Sequence, residues 1–508
     1  MRKLLLLSSV FIFSVSQGQK VADPRSFAKT ITAGDLKKHL YIIAGSEMEG
    51  RETATEGQRK AAIYLEEQFK SLGLLPAVNG TYQMNFPVYQ DSIIQSGIEV
   101  NGKSFQIFRD FSVNVNSSNM SSLMGSEVVF VGYGFSDSMR DDYKGINARG
   151  KIVLILPGIP PSAENERRSG GQSAIQEAAL KNGAAAVLSV QINFPRNPSS
   201  LTGSYYVTGF RKTIYPTIFT VSEQIAREIM GTSYDSAREA MMKGNPQPRS
   251  YSANVLLAIN KSTSRLSSSN VVGYLEGTDK KEEYVIITAH YDHLGKRGDT
   301  TIYYGADDDG SGTVSVLELA EAFAKAKQAG KGPRRSIVFM TVSGEEKGLW
   351  GSAWYGDHPS FPLDKTTANL NIDMIGRIDP KRKQADSMNY VYVVGDHKLS
   401  SDLRPISEAM NKKYTKLGLD YKYNQPNDPE RIYYRSDHYN FARKGVPIIF
   451  YFNGTHNDYH RPTDTPDKIN YDLMQKRAQL VFYTAWEMAN RNEMLKRDIP
   501  MDGSPRAF

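Results

Sequence analysis

The chain has 508 residues, 40% of them hydrophobic and 23% charged, with a formal net charge of +7. That length exceeds one ordinary core, so two or more domains are expected. The basic residues are dispersed without long runs or interleaved aromatics, which excludes a nucleic-acid footprint, and the absence of cysteine excludes disulfides and thiolate metal ligands.

In chain order, Met1-Arg2-Lys3 precedes an apolar stretch from Leu4 to Val15 and then Ser16-Gln17-Gly18. A basic start, an apolar centre and small residues at the end make a secretory signal peptide over residues 1–18. No later apolar run approaches the roughly 20 residues of a membrane span, so no stable membrane insertion is expected. An exported chain without cysteine fits a bacterial periplasmic or secreted protein.

Two helices are predicted between 30 and 75. Leu36, Leu40, Ile42 and Ile43 give the first an apolar stripe, and Ala61, Leu65 and Phe69 the second. From about 96 to 265 the texture becomes β-rich, with strand-like runs at 128–131, 151–155 and 184–188 and one helix at 173–182. The stretch 92–266 holds no histidine, so it reads as an inserted domain, with a Ser-rich linker at 261–270 leading out of it. Beyond it, strands at 284–289, 336–342, 368–374, 390–394 and 446–452 alternate with helices at 312–328, 400–417, 439–444 and 471–490. Such alternation predicts an α/β fold with a mixed, largely parallel sheet. The expected organisation is therefore 1–18 signal, 25–95 first part of the main domain, 96–265 insert, 266–495 second part of the main domain, and 496–508 tail.

Seven of the eight histidines lie between His290 and His460, interleaved with acidic clusters at strand ends. Functional groups in open α/β sheets collect at the carboxyl ends of strands, and imidazoles with carboxylates are the donors of a hydrolytic metal site. His290 ends a strand, and Asp292, two residues on, is placed to orient its ring. His293 reads as a pocket or supporting residue. Asp307-Asp308-Asp309 is a glycine-flanked acidic turn whose mutual repulsion a divalent cation relieves, with one carboxylate free to bridge two ions. In Glu345-Glu346 one glutamate can bind metal while its neighbour faces the attacking water. Asp373 interrupts an apolar strand, where a carboxylate is paired or metal-bound. Tyr459 could donate to a developing oxyanion, and His456 competes with His460 for a ligand role.

The ordered set AHYDH, GADDDGSG, SGEEKGLWGS, NIDMIG and YHRPTDT resembles the M28 family of zinc peptidases, over roughly 30–95 and 266–490. The resemblance implies a three-layer α/β/α core and two Zn²⁺ ions per chain. It places one ion on His290 and Asp373, the other on Glu346 and His460, with Asp308 shared and a cis peptide to Asp309. It implies Glu345 as general base, Tyr459 as oxyanion donor and peptides as substrates, their free α-amines anchored by the acidic shell of an aminopeptidase. Arg435-Ser436-Asp437-His438 resembles a pocket-lining segment of the family. The 96–265 insert resembles a protease-associated (PA) domain through Tyr133-Gly134-Phe135, Asp142-Tyr143 and Gly150-Lys151-Ile152-Val153. The rival enzymes on related folds are a zinc carboxypeptidase or deacylase and a glutaminyl cyclase. In the first the insert usually follows several ligands, and the second normally lacks one. A receptor-like protein without catalysis would have lost ligands or base, and here all are present.

Overall fold

The computed structural model describes residues 22–156, 158, 171–195, 200–383 and 386–501. The expected signal peptide lies outside them, as do residues 502–508 of the expected tail. The chain divides into two compact units, one made of residues 1–86 with 268–508 and the other of 87–267.

The first unit is built on a sheet whose centre is four parallel strands. In spatial order these are Ile448–Phe452, Thr366–Ile372, Lys280–His290 and Arg335–Val342. Tyr390–Val394 adds antiparallel to the first of them and carries Gly418–Asp420 beside it in parallel. Residues 271–275 pair antiparallel with Arg335–Val342 at the other side. The central strands are buried along nearly their whole length, which is why they read as continuous apolar runs rather than alternating ones.

Alternate residues of Lys280–His290 nonetheless enter different cores, as a two-residue side-chain period requires. Val285, Ile287 and Ala289 pack with the helices Ala33–Ile43, Glu56–Ser71, Gly312–Gln328 and Tyr471–Asn490. Tyr284 and Ile286 pack with Tyr355 of Trp350–Asp357 and with Phe441 and Ala442 of His438–Ala442. Helices therefore cover both faces, giving three layers. The first helix is capped as its sequence suggests, Thr32 accepting from the Asp35 N–H at 3.1 Å. The last is capped by Asn470 accepting from the Leu473 N–H.

In the second unit Ser122–Phe130, Ile152–Ile155, Ala186–Gln191 and Thr217–Ser222 run parallel in that order. Phe111–Val113 and the first part of Arg249–Leu275 flank these four strands antiparallel. Three expectations change here. The division falls between Phe86 and Pro87, not at 95/96, because Gln83–Val100 is one uninterrupted strand. The Ser-rich stretch 261–270 is extended strand within Arg249–Leu275, not a loose linker. Alongside Gly171–Lys181, the unit has helices Glu223–Met230 and Ser233–Met242 where no helix was expected.

In the first unit the helix expected over 400–417 is shorter: Leu403–Met410 passes into a wider turn, Asn411–Thr415. No helix among the described residues is long and apolar enough to cross a membrane.

Candidate metal centre

His290 is the last residue of a central strand, and the parallel register sets it beside Val342, two residues before the Gly344-Glu345-Glu346 turn. Asp373 follows Thr366–Ile372 on the other flank of the same strand. The crossover from His290 returns through the acidic turn Ala306–Ser311 into the buried helix Gly312–Gln328. Three adjacent parallel strands thus deliver their carboxyl ends, and the groups attached to them, to one place.

The Asp308–Asp309 peptide is cis, and the neighbouring aspartates are divided in use. Asp309 accepts the backbone N–H groups of His290, Gly312 and Met374 and so ties the turn to the strand ends. Asp307 accepts from Gly376 N–H at 2.7 Å and faces His456 Nε2 at 3.2 Å. Asp308 alone points between the histidines: its Oδ1 lies 3.3 Å from His290 Nε2 and its Oδ2 3.1 Å from His460 Nε2. His290 Nε2 is also 3.7 Å from Asp373 Oδ2 and 3.8 Å from Glu345 Oε2. His460 Nε2 is 3.1 Å from Glu346 Oε2. Among the expected site residues, His290, Asp308, Asp373, Glu345, Glu346 and His460 come together. His460 takes the place beside Asp308 and Glu346, while His456 serves Asp307.

Asp292 meets the His290 ring through both its backbone and its side chain. Its backbone carbonyl lies 3.1 Å from His290 Nδ1 and its carboxylate 3.7 Å away. Two residues on from a strand end the chain has already turned, so the carbonyl reaches the ring first. The carboxylate also accepts from the Thr53 hydroxyl at 2.7 Å and from the Glu345 N–H at 3.2 Å. Asp292 thus fixes the backbone that carries Glu345. Tyr459 stacks on His460 with ring centroids 3.8 Å apart, and Arg435 donates to its hydroxyl at 3.2 Å. His438 is a core residue, stacked on Phe450 and donating to the Tyr433 carbonyl, with burial pushing its imidazole down to about 3.

The electrostatics follow from burial and opposed charges. Burial raises Asp308, but the His290, His460 and His293 imidazoles outweigh it and hold the carboxyl well below the usual range. Burial lowers His460, and Asp308 with Glu346 overturn this and raise it to about 10. Glu345 is shifted in the opposite direction from Asp308. Burial, helped by Glu346, Asp373 and Asp437, lifts it well above a normal glutamate against the pull of His290.

Arg51 escaped sequence reasoning, and Ser436 and Asp464 were seen only as members of motifs, without roles. Arg51, fully buried, donates to the carbonyls of Ile43, Tyr291, Tyr304 and Gly305. Burial lowers its guanidinium to about 10, while Asp292, Asp308, Asp464 and Asp309 favour its charge. Ser436 donates to Asp373 Oδ2 at 2.7 Å, and Asp464 accepts the N–H groups of Asp307 and Asp308. The acidic run Asp307 to Asp309 hinted that a countercharge was needed, but nothing local in the sequence pointed to Arg51.

The donor set fits a metal. His290, Asp308 and Asp373 offer atoms all within 4.8 Å of one another, and so do His293, Asp308 and Glu346. His290 Nε2, Asp308 Oδ2 and Glu346 Oε1 are buried and have no hydrogen-bond partner among the described residues. Buried polar atoms left without partners are rare, and each costs about 1–3 kcal/mol, more when charged. Orphans of both kinds, imidazole and carboxylate, turned toward one another are the signature of a cation site. Beside them a cleft is lined by Met374, Ile432, Phe450, Phe452, Thr455 and Arg435.

Residues 270–485 match the model of peptidase family M28. A probable leucine aminopeptidase from Trichophyton verrucosum is 31% identical over 216 residues, covering 41% of this chain and 55% of the relative. The chain thus spans about half the length of the curated relatives it matches. Among solved structures, an aminopeptidase from an Aneurinibacillus species aligns at TM-score 0.55 and 20% identity, covering 94% of this chain and 99% of that one. A zinc aminopeptidase from Bacillus subtilis aligns at TM-score 0.51 and 18% identity, covering 92% and 99%. At those identities the likeness is one of fold, and the M28 match covers the strands that carry the site.

Proposed function

We propose that the protein is an exported di-zinc aminopeptidase, cleaving residues from the free N-termini of peptides. The observation that carries this reading is the convergence of His290, Asp308, Asp373, Glu346 and His460 on one point with Glu345 beside them. The M28 match and the aminopeptidase relatives support it. In this reading Zn²⁺ is held by His290, Asp308 and Asp373 on one side and by Asp308, Glu346 and His460 on the other. When bound, it supplies Lewis-acid polarisation of the scissile carbonyl and acidifies water at neutral pH.

The chain's own residues do the rest. Glu345, held by the Asp292 contact to its N–H, takes the proton of the attacking water and returns it to the leaving amine. The Tyr459 hydroxyl, oriented by Arg435, donates to the oxyanion as it forms. The carboxylate-rich shell attracts the substrate's α-ammonium, and the cleft walls of Met374, Ile432, Phe450 and Phe452 receive the N-terminal side chain. The 87–267 unit is read as the PA-type insert its motifs resemble, and residues 1–18 as an export signal.

Paired substrates test the aminopeptidase reading. Aminoacyl anilides with a free amine are expected to be hydrolysed and their N-acetylated counterparts spared. Comparable cleavage of the blocked substrates would overturn it.

A further inference from the structure

His293 stands three residues beyond His290 and has no exposure to solvent. Its ring lies against Gly305, where φ is +56° and a Cβ would come within 2.4 Å of His293 Cγ, so only glycine at 305 leaves room for it. His293 Nδ1 is 2.8 Å from Glu346 Oε1 and 3.8 Å from Asp308 Oδ2. Those are the two carboxylates that His460 Nε2 approaches at 3.1 and 3.1 Å. The two rings cross at 70° with centroids 5.9 Å apart, so they approach the carboxylates from different sides. Both His293 nitrogens are buried and without a hydrogen-bond partner among the described residues.

Two donors each about 2.1 Å from one ion lie within roughly 4.2 Å of each other. All four distances from His293 and His460 to the carboxylates meet that limit. We infer that His293 Nδ1 is a further metal ligand. The Glu346 side of the centre then takes a divalent cation between two imidazoles and two carboxylates. This rests on the two-metal reading above and adds a ligand to it. It also makes the halves unequal, because His290, Asp308 and Asp373 supply a single nitrogen. The imidazole-rich half favours transition metals such as zinc, and the carboxylate-rich half is the weaker zinc site.

The competing role for His293 is a hydrogen-bond donor that merely orients Glu346, and asparagine separates the two. In His293→Asn the side-chain amide places an N–H near the position of Nδ1 but has no imidazole lone pair to give. X-ray absorption on the zinc-loaded full chain counts imidazoles directly. The expected average is about 1.5 per zinc, three histidines over two ions, against about 1.0 if His293 does not bind. In chelator competition, His293→Ala and His293→Asn should both weaken one zinc equivalent beyond the roughly 10–100-fold that loss of an outer partner costs. The other equivalent should stay near its parental affinity, and the metal-free Asn variant should melt with the parent. An average near one imidazole per zinc, or parental affinity restored by asparagine, would overturn the ligand assignment while leaving the two-metal reading intact. A parent that binds fewer than two zinc ions would instead remove the reading on which the assignment stands.

Discussion

Glu345 and Glu346 are neighbours in sequence with opposite electrostatic fates. Glu346 lies against His293 and His460, and although burial and Asp308 push its carboxyl up, the imidazoles pull it below the ordinary glutamate value. Glu345 is pushed up by burial and by the surrounding carboxylates, with only His290 opposing. In the proposed reading Glu346 binds the cation and Glu345 transfers the proton. Glu345→Gln keeps the shape of the side chain and removes its basicity. It should leave metal content unchanged and lower kcat by about 10²–10⁴-fold, the usual worth of a general base; metal analysis beside steady-state kinetics checks both halves. At this scale the sequence was informative because the candidate donors sit in short motifs at strand ends. It was silent on Thr53 and Arg51, whose contacts with the centre reach across 239 and 240 positions of chain.

At the scale of elements, Gly312–Gln328 carries the acidic turn into the core and buries Glu318 at 1% exposure. His39 faces that carboxylate at 3.8 Å, and His39 is itself held by Tyr64. Asp35, Glu321 and Lys325 complete the charged surroundings, and burial raises Glu318 from 4.5 to about 8. Burial also lowers His39, so the histidine offers little countercharge near neutrality. The folded-state pKa lies above the unfolded one, so the stabilising contribution is complete below about pH 4.5 and is lost as pH rises through about 8. At about 1.4 kcal/mol per pKa unit, full ionisation costs on the order of 4–5 kcal/mol. Glu318→Gln should therefore gain melting temperature relative to the parent at pH 9 and much less at pH 5. Equal shifts at both pH values in thermal melts would contradict this. Sequence periodicity found this helix because it is long. It missed Glu223–Met230, where Ile225, Ala226, Ile229 and Met230 are buried, because eight residues give too little periodic signal. The stretch 261–270 misled for another reason. Serines suggest a linker, yet Ser268, Ser269 and Asn270 are buried in strand, with Asn270 donating to Gly351 O at 2.8 Å.

At the scale of the whole molecule, the functional groups all belong to the unit of residues 1–86 and 268–508. The other unit has its own apolar cores. The alternation of strands and helices after 270 made the α/β class legible, since a parallel sheet covered on both faces demands it. The division at 86/87 was not legible, because a strand that continues through a boundary carries no turn signal. The described residues before 87 contribute helices that pack on the sheet formed after 268, and they bring Arg51 and Thr53 to the acidic centre. The centre thus depends on segments on both sides of the second unit in sequence.

The most direct measurement is a zinc titration of the chelator-treated protein, read as hydrolysis of an aminoacyl anilide. Activity should be abolished by chelation and return with added Zn²⁺, reaching its plateau at two equivalents per chain. Hydrolysis that survives complete removal of metal, or that is fully restored by one equivalent, would contradict the two-zinc centre.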